Sequence, residues 1–168
     1  AIMTHLNNQV VAATSSEKYV TLFYGELNTT TGDFEYCNAG HNYPVLIRPD
    51  GTIELLDQGG PVIGAFAGMP YRSATITIGP DDVLFFFTDG LSEAMDDDGR
   101  EYGEERIRNF LRDHRKLDSA SLMQRILEDV RSYDPTFPPR DDTTIISMKC
   151  HSLMKRPTAQ ESHERQVL

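Results

Sequence analysis

The chain has 168 residues, with 26 acidic against 16 basic side chains and a formal charge of −10. That length suits one domain able to bury a core without staples. The acidic balance, with no basic stripe, argues against a nucleic-acid partner. Cys37 and Cys150 fall in strand-like segments without metal spacing. They read as small core residues of a protein in a reducing cytoplasm rather than as a disulfide. No signal peptide is visible, and no apolar run approaches the roughly 18 residues of a membrane helix. The segment is therefore expected to be cytoplasmic and to make no membrane contact. It opens on Ala1-Ile2-Met3 in mid-pattern, as a piece of a longer protein would.

Ile2, Leu6, Val10 and Val11 have near-helical spacing and predict an amphipathic helix over 2–13. Tyr19 to Leu27 is aromatic and β-branched and predicts a strand. The turn chemistry of Asn28 to Gly32 joins it to a second strand, Asp33 to Ala39, as a hairpin. Two more strands are expected at 43–48 and 52–56, around the turn Pro49-Asp50-Gly51. The segment 57–70 is expected to be loop-like; its glycines fit no dinucleotide or phosphate-loop pattern, so close backbone packing is the expected reason for them. A strand at 71–78 follows.

Val83-Leu84-Phe85-Phe86-Phe87 then runs without alternation, which requires cover on both faces. Thr88 and Asp89 are its first polar residues, and Gly90 permits a sharp turn. The period changes after Ala94. Ile107, Phe110, Leu111 and His114 share one helical face, and a second helix begins at a cap candidate, Asp118 or Ser119. A last strand is expected over Thr143 to Cys150, followed by a polar, flexible tail from 152 to 168. Short turns between adjacent strands predict an α+β fold of two packed, largely antiparallel sheets with helices on the outer faces.

Asp89 lies at the end of one apolar strand and Asp141 just before the start of another. If these strands are antiparallel neighbours, both carboxylates reach one rim of one sheet. Two hard oxygen ligands favour Mg²⁺ or Mn²⁺ over zinc and suit metal-activated water attacking a phosphoryl group. The competing reading is an ordinary pair of acidic turns.

Five motifs stand in the order found in one family: Thr88-Asp89-Gly90-Leu91-Ser92-Glu93-Ala94, Asn38-Ala39-Gly40-His41-Asn42, Gly60-Pro61-Val62-Ile63-Gly64, Tyr102-Gly103-Glu104-Glu105-Arg106 and Asp141-Asp142-Thr143-Thr144. Over residues 1 to about 150 the chain resembles the metal-dependent serine/threonine protein phosphatases of the bacterial sporulation stage II E and sigma-regulator type, relatives of the type 2C phosphatases. The resemblance implies an α-β-β-α sandwich and a binuclear Mn²⁺ or Mg²⁺ site whose bridging water is the nucleophile. It places metal ligands at Asp89 and Asp141 and leaves Asp142 behind them. It also implies a phosphorylated anti-anti-sigma (STAS-type) substrate and an upstream sensor or receiver domain.

The family's Asp-Gly motif from the first strands has no counterpart here. Residues 1–151 are thus expected to form a partial catalytic domain lacking its N-terminal strands, inactive alone and with an exposed sheet edge. A catalytically silent, partner-binding module of the same fold is the alternative.

Two further readings concern single motifs. Asp96-Asp97-Asp98-Gly99 with Glu105 imitates part of a calcium loop, but Ala94 stands at its first ligand position, so a solvated acidic turn is expected. His41 is either a general acid or, as expected here, a residue that holds a turn through side-chain hydrogen bonds, as Asn38 and Asn42 would.

Overall fold

The computed structural model describes residues 2–14, 18–134, 136 and 142–153. Four helices and eight strands appear among them. In chain order these are α1 (Ile2–Ala13), β1 (Leu22–Leu27), β2 (Asp33–Ala39), β3 (Val45–Ile47), β4 (Ile53–Leu55), β5 (Gly59–Gly60), β6 (Ala74–Thr77), β7 (Val83–Phe87), α2 (Asp89–Ser92), α3 (Glu104–His114), α4 (Ser119–Tyr133) and β8 (Ile145–Lys149). The strands make two four-stranded sheets. One has the order β1-β2-β5, with β6 also on β2, and the other has the order β4-β3-β7-β8. Every pairing is antiparallel except β2 with β5.

Period-two alternation sorts the apolar residues into layers. On β3 and β7, Val45, Ile47, Val83, Phe85 and Phe87 face Ile107 and Leu111 of α3 and Leu122, Ile126 and Val130 of α4. The intervening Leu46 and Leu84 turn the other way and meet Phe34 and Tyr36 of β2. On the far face of β2, Cys37 and Ala39 pack with Met3 of α1 and Ile63. The order is helix, sheet, sheet, helices. This explains why β7 is apolar throughout: one side is covered by helices, the other by a sheet.

Three local expectations need correction. Of the expected stripe Ile2, Leu6, Val10 and Val11, Ile2 and Leu6 are exposed and Val10 packs inward. Met3 and Asn7 face inward with it. The Asn7 amide donates to the Phe66 carbonyl (2.8 Å), and its oxygen accepts from the Gly64 amide (2.9 Å) and the Tyr71 hydroxyl (3.2 Å), which fastens the helix to the 64–71 loop. A polar anchor joins Met3 and Val10 on the buried face.

The second correction concerns 57–70, which is not all loop. Gly59–Gly60 pairs in parallel with Asn38 and Ala39. A side chain at Gly59 would collide with the backbone of Asn38, so close packing does account for that glycine.

The third concerns Asp89-Gly90, which is not a turn but the opening of α2. Gly90 is needed for contact rather than for a special backbone angle. A Cβ there would sit 2.8 Å from Thr143 Oγ1 and 2.9 Å from the Asp142 carbonyl oxygen.

Other expectations hold with trimmed ends. The β1–β2 hairpin runs in register from Leu22↔Ala39 to Leu27↔Phe34, with Gly32 at φ 81°. Asp118 caps α4 by accepting from the Ser121 amide at 2.9 Å. Cys37 and Cys150 are free thiols. Among the described residues no helix is long and apolar enough to cross a membrane. The expected tail, beyond Leu153, lies outside the described residues.

Both outermost strands on one flank, β1 and β8, pair with a single neighbour among the described strands. A cleft of about 540 Å³ opens between them, lined by Leu22, Phe23, Leu27, Phe86, Ile146 and Met148, with His41, Thr88 and Thr144 also on its wall. Ile146 and Met148 are exposed there.

Candidate metal centre

The expected neighbours are neighbours. β7 and β8 pair antiparallel from Val83↔Lys149 to Phe87↔Ile145. One step beyond, the Thr88 amide donates to the Thr144 carbonyl at 3.1 Å. The end of the buried strand and the lead-in to the last strand therefore share one rim.

Asp89 is carried on that rim as the first residue of α2. Phe85 and Phe87 are buried against α3 and α4 and Leu84 against β2, so the strand behind Asp89 is covered on both faces. The carboxylate itself is exposed. One of its oxygens, Oδ1, accepts from the Gly90 amide at 3.0 Å. Oδ2 has no hydrogen-bond or ion-pair partner among the described residues. An exposed carboxylate with an uncommitted oxygen is a hard ligand of the kind that Mg²⁺ and Mn²⁺ take.

Asp141 lies outside the described residues; its chain neighbour Asp142 lies inside them. The carbonyl of Asp142 accepts from the Thr88 hydroxyl at 3.1 Å. Among the described residues no group of three or more His, Cys, Asp or Glu side chains is placed to hold a metal ion. Asp89 thus suits a divalent cation in kind, as one carboxylate of a shell completed by others and by water. Mg²⁺ is commonly bound through only one or two carboxylates with several waters retained.

His41 stands near this rim. Burial pushes its pKa down, and the negative charge of Asp89 opposes that shift. Its Nδ1 lies 3.4 Å from the Thr21 hydroxyl. Asn38 fixes the turn that carries it: Asn38 Oδ1 accepts from the His41 amide at 2.8 Å, and Nδ2 donates to the carbonyls of His41 (3.0 Å) and Leu56 (3.2 Å). Asn38 therefore holds this turn; among the described residues the His41 side chain reaches Thr21 rather than the turn, and Asn42 makes no side-chain hydrogen bond.

The Asp96 loop is closed internally. The Asp96 carboxylate accepts from the amides of Asp98 (3.0 Å) and Arg100 (2.8 Å), and these bonds hold its pKa below the usual carboxylate range.

Against this geometry, the family described as Stage II sporulation protein E (SpoIIE) matches residues 1–151. The chain belongs to the SpoIIE family. Phosphoserine phosphatase RsbP of Bacillus subtilis (strain 168) is 29% identical over 143 residues, covering 84% of this chain and 34% of RsbP. The structure of the RsbU and RsbW domains of Rv1364c from Mycobacterium tuberculosis is 29% identical with a TM-score of 0.62, covering 80% of this chain and 38% of that one. The phosphatase domain of SpoIIE from Bacillus subtilis, presoaked with Mn, has a TM-score of 0.66 at 12% identity, covering 89% of this chain and 65% of that one. This last likeness concerns the fold alone. This SpoIIE-family chain spans about a third of the length of RsbP.

Two features of this SpoIIE-family site had no assigned role in the sequence. Thr88 was legible only as the polar residue before Asp89, yet it bonds across to 142–144. Gly90 was legible as a turn glycine, whereas the Asp142 backbone and the Thr143 hydroxyl pack directly on it.

Proposed function

We propose that the full-length protein carrying this chain is a metal-dependent phosphatase that hydrolyses phosphoserine or phosphothreonine on a protein. The observation that carries this is the exposed Asp89 carboxylate at the tip of a strand buried on both faces, beside the lead-in to β8. Membership of the SpoIIE family and the likeness to a protein named a phosphoserine phosphatase support it.

Asp89 and Asp141 would hold Mn²⁺ or Mg²⁺ within a binuclear site. When bound, such ions supply an activated water and neutralise charge on the phosphoryl oxygens. The chain's own contribution is to orient Asp89 from the end of a strand covered on both faces. The substrate in this reading is a phosphorylated STAS-type regulator in a partner-switching pathway controlling a sigma factor. An upstream sensor or receiver domain supplies the signal.

Residues 1–151 are the catalytic portion in this reading, and the 168-residue chain alone has little or no activity. A silent partner-binding module of the same fold is the second reading.

The test is phosphate release from a phosphoserine protein by the full-length protein with Mn²⁺, with and without chelator. Metal-dependent release is expected; its absence would leave the silent module as the better account.

A further inference from the structure

Thr88 is the N-cap of α2, with extended backbone at φ −93° and ψ 165°. A threonine in that position ordinarily turns its hydroxyl back to accept from an amide in the first helical turn. Thr88 makes no such bond. Its hydroxyl points across the rim instead. It donates to the Asp142 carbonyl at 3.1 Å and accepts from the Thr144 amide at 2.9 Å. Its own amide donates to the Thr144 carbonyl at 3.1 Å, and its carbonyl accepts from the Leu91 amide at 3.0 Å to start the helix. One residue therefore closes the β7–β8 ladder and opens the helix that carries Asp89.

The neighbouring contacts tighten this arrangement. Gly90 is buried, and the absence of a side chain lets the 142–143 segment pack against its backbone. Thr143 Oγ1 is buried there without a hydrogen-bond partner among the described residues. A local preference set aside at a rim that carries a candidate ligand is the kind of conflict expected at a functional site.

From these observations we infer that Thr88 is a positioning residue for Asp89. Its hydroxyl fixes the turn between β7 and α2 against the lead-in to β8, and so sets where the Asp89 carboxylate stands. Ligand groups need placement within about 0.5 Å, and Mg²⁺ tolerates little departure from ideal geometry. Loss of the hydroxyl frees the turn to shift without unfolding the strand behind it. The inference rests on the metal-centre reading above and adds to it a residue that touches no metal.

The experiment is Mn²⁺ titration by calorimetry into the full-length protein, comparing wild type, T88V and T88S. Valine keeps the shape and removes the hydroxyl; serine restores it. T88V is expected to bind Mn²⁺ about 10-fold or more weakly, within the range typical of groups that orient ligands. T88S is expected to bind within about twofold of wild type. Wild-type affinity in T88V overturns the inference, and so does T88S as weak as T88V, which would mean that a hydroxyl at this position does not suffice to restore binding. No Mn²⁺ binding by wild type overturns the metal centre itself, a separate result.

Hydrogen exchange on the wild-type protein gives a check independent of any variant's folding. Protection of the Thr144 amide should rise on adding Mn²⁺, because metal binding and the Thr88 bridge stabilise the same arrangement. Unchanged protection counts against the inference.

Discussion

Phe87 stands opposite Ile145 at the last rung of the β7–β8 ladder. Everything polar in the candidate centre begins immediately beyond that rung. The strand delivers its apolar side chains to two cores and its first carboxylate to solvent. Rigidity of the site is therefore a consequence of packing behind it.

The packing can be tested at Phe85, which is fully buried between β7 and the helices. Phe85→Ala should lower unfolding free energy by about 3–5 kcal/mol, read from urea denaturation. A loss below about 1 kcal/mol would mean the strand is not the central support described here.

Asn7 is fully buried and serves three partners in the 64–71 loop. Asn7→Ala leaves the Gly64 amide and the Phe66 carbonyl unsatisfied, at a cost of about 1–3 kcal/mol. Hydrogen exchange should show the Gly64 amide losing protection while β7 amides keep theirs. Uniform loss across both would contradict a local anchor.

Asp134 provides a pH-dependent prediction. Its carboxylate accepts from the Thr136 hydroxyl (2.7 Å) and from the amides of Thr136 (2.8 Å) and Met95 (3.3 Å). Chiefly through the Thr136 hydroxyl, these bonds hold its pKa below the ordinary Asp value, while burial works in the opposite direction. With the folded pKa below the unfolded one, the unfolded state takes up the proton first as pH falls. The stabilisation is present above the ordinary Asp range near about pH 4 and is lost as pH drops through the folded value. Asp134→Asn should flatten the acid limb of a stability–pH curve. An unchanged acid limb would show that Asp134 does not contribute to it.

How far the sequence carries depends on the kind of signal. The unbroken apolar run 83–87 could only be a strand covered twice, and Asp118 was a cap by residue type and position; both are as the structure has them. β5 was illegible because Gly59–Gly60 has no strand propensity and pairs only through close backbone approach. The α1 face was misread because a buried asparagine looks polar until its loop partners are known. At the candidate site, the position of Asp89 on the rim was legible from its place after an apolar strand. The Thr88 bridge was not, because it joins residues far apart in sequence that only the β7–β8 register brings together.

The central claim is that Asp89 is a metal ligand on a preformed rim. The most direct measurement is Mn²⁺ titration of the full-length protein against its Asp89→Asn variant, with thermal unfolding of the metal-free forms recorded alongside. The account predicts Mn²⁺ affinity reduced at least about 10-fold, as expected for loss of a charged ligand from a hard-cation site, with the metal-free unfolding midpoint essentially unchanged. Wild-type Mn²⁺ affinity in Asp89→Asn would contradict it.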